Sequence, residues 1–216
     1  CHIIDKYGAD ATRWYMISNA QPWDNLKFDE YGILEVQRKF FGTIHNTYSF
    51  FSLYANIDSF DSSQKIIPLK DRTELDRWIL SELNTLIKQV EEKYNEYEPT
   101  IVARLIQSFV INKLSNWYIR LSRRRFWKGD YNNDKIAAYQ TLYDCLKNIA
   151  IISSPISPFY MDQLFQDLTM KDNSVHLYDF PKFNPSFIDK NLERRMSLAQ
   201  EITSLALSLR KKESLR

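Results

Sequence analysis

Glycine is almost absent from this chain of 216 residues: Gly8, Gly32, Gly42 and Gly129 are the only four, and none lies between residues 43 and 128. Tight hairpins need residues that tolerate positive φ, so so long a stretch without glycine argues against a sheet of short-looped strands. Long helices fit it. Proline supplies the punctuation instead, at Pro22, Pro68, Pro99, Pro155, Pro158, Pro181 and Pro185.

Between those marks the apolar residues recur with a helical period. Residues 5 to 18 predict one short helix with Tyr7, Ala11, Trp14 and Tyr15 on one side, and residues 21 to 28 a loop. Ile33, Val36, Phe40, Ile44, Tyr48 and Phe51 mark a long helix over about residues 29 to 56, and the Asp- and Ser-rich stretch 58 to 70 reads as a connection. Thr73-Glu74-Leu75-Asp76 has the form of a capping box and opens a second long helix through Ile79, Leu83, Leu86, Val90, Tyr94 and Tyr97. Pro99 with Thr100 opens a third, whose apolar positions from Val102 to Leu121 run into a basic segment ended by Gly129 and Asp130. Asn132, Asn133 or Asp134 can cap a fourth helix that continues to Ser154. Ser157 before Pro158 resembles an N-cap with a first-turn proline and opens a fifth, Phe159 to Leu168. Residues 174 to 185 predict extended or irregular chain, and Asp189 begins a last helix with Leu192, Met196, Ala199, Ile202, Leu205 and Leu209. Amphipathic helices of this length on short connections predict an all-α fold, an antiparallel helical bundle. The first 30 or so residues are more mixed in character and predict a separate small subdomain.

The bundle has enough apolar material for a sizeable core, with 44% hydrophobic and 14% aromatic residues. Lys and Arg number 29 against 27 Asp and Glu, so the formal charge of +2 does not by itself indicate a nucleic-acid binder, and any such signal must be local. Cys1 and Cys145 are far apart and have no His at zinc spacing, which predicts neither a disulfide nor a metal site; Cys145 reads as a small core residue. No apolar run approaches the ~20 residues of a membrane span, and no basic leader precedes a hydrophobic stretch. The prediction is a soluble, cytoplasmic protein. His2, His45 and His176 are isolated, and no Gly-rich phosphate loop or nucleophile elbow is present, so no catalytic residues are expected within the chain.

The local signal lies at residues 114 to 130, where five cations and four aromatic rings share one predicted helix end. Guanidinium groups neutralise phosphates and stack on bases, and aromatic rings offer platforms for unstacked nucleotides. Consecutive helical residues are about 100° apart, so Arg123, Arg124 and Arg125 span an arc of about 200° and cannot all face one ligand. Arg125 continues the line of Tyr118 and Leu121, where an apolar face would run, and is the candidate for a structural partner. Arg120, Arg124 and Lys128 share i, i+4 spacing and form a candidate phosphate-contacting stripe. Phe126 or Trp127 is a candidate stacking platform and Arg123 a candidate hydrogen-bond donor to a base edge or the backbone, with Trp117 and Arg125 supporting the helix from behind. The bland alternative is a solvated helix end whose cations complement the C-terminal dipole.

Longer motifs carry a resemblance. Asp5-Lys6-Tyr7-Gly8-Ala9-Asp10-Ala11-Thr12-Arg13-Trp14-Tyr15 resembles the helix that follows the Lys-Met-Ser-Lys-Ser loop of class I aminoacyl-tRNA synthetases. Leu114-Ser115-Asn116-Trp117-Tyr118-Ile119-Arg120, running into Arg123-Arg124-Arg125-Phe126-Trp127, is similar to isoleucyl-tRNA synthetases of the eukaryote-like type. Asp76-Arg77-Trp78-Ile79-Leu80-Ser81, Pro155-Ile156-Ser157-Pro158-Phe159 and Ser174-Val175-His176-Leu177 fall in that family's order, so the resemblance spans residues 5 to about 210.

The resemblance implies a stem-contact segment at 1–35 and an anticodon-binding domain at 36–216, with the anticodon stem-loop of isoleucine tRNA as partner alongside the missing catalytic and C-terminal regions of the same chain. It implies a parent that uses ATP and magnesium to activate isoleucine, with zinc a candidate elsewhere in that parent. It also implies editing of misactivated valine, because one methylene is worth only ~1 to 3 kcal/mol in a hydrophobic pocket. The chain carries neither His-Ile-Gly-His nor Lys-Met-Ser-Lys-Ser. The expectation is therefore a catalytically silent fragment with no cofactor of its own. A valyl-tRNA synthetase fragment and a helical scaffold docking protein through its aromatic surface are the alternatives.

Overall fold

A computed structural model of the chain describes residues 2–170 and 173–213; Cys1 lies outside them. Helix α1, His2–Tyr7, and helix α2, Ala9–Asn19, stand where the sequence predicts one helix. The break is at Gly8, whose φ of 82° and ψ of 157° belong to a backbone region essentially confined to glycine. Helix α3 covers residues 30–57: Glu30–Val36, a π-helical turn at Gln37–Phe41, then Gly42–Ile57. Helix α4, Glu74–Asn95, opens on the predicted capping box, with Thr73 and Asp76 bonding reciprocally, and ends before Tyr97, which is left-handed and exposed.

Helix α5 covers residues 99–127 and changes pitch twice: Pro99–Ser108 is α-helical, Phe109–Ile119 π-helical and Arg120–Trp127 α-helical again. Helix α6, Asn133–Ser153, is capped by Asn132, which accepts from the Lys135 amide at 3.0 Å. Helix α7, Pro158–Thr169, starts on its proline, but the Ser157 side chain makes no capping bond. Short 3-10 turns punctuate the irregular stretch that follows, and helix α8, Lys190–Lys212, closes the fold with Asp189 as its cap. Among the described residues there is no strand.

Helices α4, α5 and α6 build the centre of the bundle, with Trp78, Tyr118, Phe126 and Tyr139 fully buried. Each large side chain removed from water contributes about 1.5–3 kcal/mol. The same core extends to the amino-terminal helices, because Trp14 stacks on Phe40 at 4.1 Å. Polar ties reinforce that continuity: Arg13 donates to the Ile156 carbonyl at 2.9 Å, and Arg104 to those of Ser18 and Asn19 at 2.9 and 3.0 Å. Residue 35, where the sequence suggests a boundary, lies inside α3.

Helix α8 is anchored at its start. Leu192 is buried, Ser81 and Thr85 donate to Glu193 at 2.6 and 2.7 Å, and Arg195 pairs with Glu74 at 2.5 Å. Of the predicted apolar line, only Leu192 and Met196 engage the core; Ile202, Leu205 and Leu209 face solvent.

Candidate nucleic-acid interface

At the end of α5, five cations of similar chemistry meet different fates. Arg125 grips Asp76 with both guanidinium arms, Nη1 to Oδ1 at 2.8 Å and Nη2 to Oδ2 at 2.7 Å. Asp134 accepts from Nε at 3.0 Å and Nη2 at 2.9 Å, and Tyr118 donates to Asp76 at 2.6 Å. Burial disfavours the Arg125 charge, but the hydrogen bonds and charge of Asp76 outweigh it and push the pKa up. Burial, then the Asp76 charge, pushes the Tyr118 phenol far above its ordinary value. Arg125 is thereby a bracket between α5, the start of α4 and the start of α6, with no valence left for a ligand.

Arg120, Arg123, Arg124 and Lys128 are exposed, and none makes an ion pair among the described residues. Arg120 and Arg124 share one face of the final α-helical turns. Lys128 stands just off that stripe, since the helix ends at Trp127 and Lys128 is its extended cap, donating its amide to the Arg124 carbonyl at 3.0 Å.

Two expectations for the aromatic groups are corrected. Phe126 is 0% exposed, packed edge-on against Phe50 and Tyr139 with ring centroids 5.1 Å apart in both pairs, so it offers no face to a nucleotide. Trp127, 55% exposed, is the ring that faces solvent. The apolar line expected through Tyr118 and Leu121 also shifts: Leu121 is half exposed, and Ile119, Ser122 and Phe126 are the buried residues after Tyr118. The eleven π-helical residues explain this, because i→i+5 bonding makes the side chains lag behind the α-helical phase on which the sequence reading relied.

Trp117, expected to act from behind, is partly buried against the core and also lines an open groove of about 670 Å³. Trp117, Arg120 and Leu121 of α5 form one wall, and Gln200, Ser204 and Leu207 of α8 the other. Sequence reasoning missed this second wall, since no local spacing relates residue 117 to residue 204. The one legible hint was that the α8 line past Met196 is apolar yet unaccounted for by a single bundle face. The last turn of α8 adds Arg210, Lys211 and Lys212. Elsewhere, the buried Cys145 thiol is pushed well above its ordinary pKa by burial, which makes it inert, and His176 lies 3.3 Å from the Pro158 carbonyl. No helix among the described residues is long and apolar enough to cross a membrane.

Residues 76–216 match the family model for the anticodon-binding domain of tRNA ligase. The isoleucine–tRNA ligase of Cytophaga hutchinsonii is 62% identical over 99% of this chain and 20% of its own length, and that of Bacteroides thetaiotaomicron is 58% identical over 99% and 19%. The chain thus spans about a fifth of the curated relatives it matches, and their identity does not favour the valyl alternative. The crystal structure of the ternary complex of Agrobacterium radiobacter K84 LeuRS, tRNA and LeuAMS superposes with a TM-score of 0.65 at 15% identity, covering 87% of this chain and 21% of that one, and so shares its fold. The chain belongs to the family of anticodon-binding domains of tRNA ligases.

Proposed function

We propose that this chain recognises the anticodon arm of isoleucine tRNA on behalf of an isoleucine–tRNA ligase of which it forms one part. The observation that carries the reading is the division of labour on α5: one arginine locked to Asp76, and four exposed cations without ion-pair partners among the described residues, beside an exposed tryptophan. Cations already satisfied by carboxylates release no counterions on meeting RNA; unpaired ones do. Arg120, Arg124 and Lys128 meet phosphates, Trp127 stacks on an unstacked base, and Arg123 hydrogen-bonds a base edge or the backbone. The parent, in the cytoplasm, uses ATP and magnesium to form an isoleucyl adenylate, transfers isoleucine to tRNA and hydrolyses misactivated valine. Residues 1–35 link the catalytic region to the bundle.

The test is isoleucine tRNA binding across a salt series. Arg124→Ala combined with Lys128→Ala lowers affinity at low salt and makes the log–log salt slope shallower by about 1.5, while the melting temperature stays put. Unchanged affinity and slope remove the phosphate role.

A further inference from the structure

The carboxylate of Asp134 is out of place beside a phosphate-binding surface. Arg125 already has a matching charge in Asp76, so a second carboxylate leaves that cluster one negative charge in excess. The excess lies at the end of the bundle where Arg120, Arg123, Arg124 and Lys128 are exposed. Half of the Asp134 side chain faces solvent, so its charge reaches an approaching phosphate as a repulsion. A place in the first turn of α6 suits the helix dipole, but the dipole does not call for the bonds this residue makes. Oδ2 accepts from Arg125 Nε at 3.0 Å, Oδ1 from Nη2 at 2.9 Å, and the Asp134 carbonyl from the same Nη2 at 2.9 Å.

These bonds join residues nine apart in the chain and clasp the end of α5 to the start of α6. Between them the chain leaves the helix after Trp127, runs extended at Lys128 and turns at Gly129, whose φ of 81° is left-handed. Residues 128–132 are all exposed, so packing does little to hold their course. A second fastening lies beyond Gly129, where Gln64 donates to the Tyr131 hydroxyl at 2.9 Å. An exposed turn loses conformational freedom when it binds, and fixing it beforehand removes that cost from the affinity. We propose that Asp134 is a positioning residue for RNA recognition: it touches no RNA, and by clasping Arg125 it holds Trp127 and Lys128 in their binding geometry. The proposal rests on the anticodon-arm reading, and it assigns to that site a residue whose own charge opposes the ligand.

Electrostatics and positioning give opposite signs for one substitution, which makes the test direct. Asp130, in the same turn, is exposed and has no ion pair among the described residues, so Asp130→Ala and Asp134→Ala remove the same charge from the same end of the molecule. In Asp134→Ala, Arg125 keeps Asp76 and the carbonyl of residue 134, so the fold persists. The probe is isoleucine tRNA, bound to the full 216-residue chain at low salt. Asp130→Ala is expected to tighten binding about 2-fold by removing a repulsion, and Asp134→Ala to weaken it about 5-fold by freeing the turn. The rate at which trypsin cuts after Lys128 in the free chain reports that freedom directly; it is expected to rise about 5-fold in Asp134→Ala and to stay put in Asp130→Ala. Binding by Asp134→Ala that equals or exceeds that of the unsubstituted chain overturns the proposal, and so does weaker binding without faster cleavage. Should Arg124→Ala still lower affinity and flatten the salt slope in either case, the anticodon-arm reading stands without the clasp. Absence of salt-dependent tRNA binding by the unsubstituted chain overturns both.

Discussion

Arg123, Arg124 and Arg125 are consecutive and chemically identical, yet they differ in surroundings because each points along a different radius of one helix. Arg125 points inward, to Asp76, whose side chain is 0% exposed. Removing one partner of such a pair strands the other charge, which typically costs about 3–5 kcal/mol. Because Arg125 retains Asp134, the low end of that range applies: Asp76→Ala should lower the unfolding free energy by about 3 kcal/mol in urea titrations. Arg123→Ala should stay within about 0.5 kcal/mol of the parent in the same assay. Equal losses at the two positions would remove the distinction between bracket and free cation. Arg125 was legible as a structural residue from its place in the helical order; Asp76 as its partner was not, since 49 residues separate them in the chain. Phe126 was misread for a related reason, because a residue at a basic helix end looks exposed until the packing of α3 and α6 against it is known.

At the scale of elements, backbone geometry controls what each helix presents. Gly8 separates α1 from α2 in a conformation that L residues avoid, so Gly8→Ala should cost about 1–3 kcal/mol, read as a lower melting temperature, although a methyl group there meets nothing within 4 Å. The cost is conformational, not steric. Helix α8 depends on its first turns, where Glu193 is the hub. Burial pushes the Glu193 pKa up, but hydrogen bonds from Lys190, Ser81 and Thr85 together outweigh it, and the net shift is downward. A depressed carboxylate pKa contributes stability that is fully present above the unfolded value and is lost as pH falls through the folded one. At neutral pH the unsubstituted chain should exceed Glu193→Gln by about 1–2 kcal/mol in unfolding free energy, and the difference should shrink as the solution is acidified below the ordinary glutamate range. A gap independent of pH would show that the anchoring is packing alone. The capping box at Thr73 was readable locally, as was a cap among Asn132, Asn133 and Asp134, since caps are a property of three or four adjacent residues. The π-helical stretch in α5 was not, because the same apolar residues satisfy either pitch and only the neighbouring helices choose between them.

Taken as a whole, the molecule has one continuous core that runs from Trp14 through Trp78 and Tyr118 to Phe165. Tryptophan fluorescence and far-ultraviolet circular dichroism should therefore report a single coincident unfolding transition, and an earlier separate transition of the amino-terminal helices would contradict that continuity. With a formal charge of only +2, the proposed attraction for RNA rests on the arrangement of charge at one end of the bundle and not on its total. Glycine scarcity, proline punctuation and apolar periodicity together determined that the chain is a helical bundle, since these are local constraints on φ and on which helix face must leave water. Local composition likewise determined that five cations and four aromatic rings share one helix end. Which of those side chains remain free was decided only in three dimensions, by Asp76 capturing Arg125, by α3 and α6 enclosing Phe126, and by α8 arriving opposite Trp117. Each of those contacts joins residues far apart in the chain, where no periodicity links them and only the closure of the bundle brings them within reach.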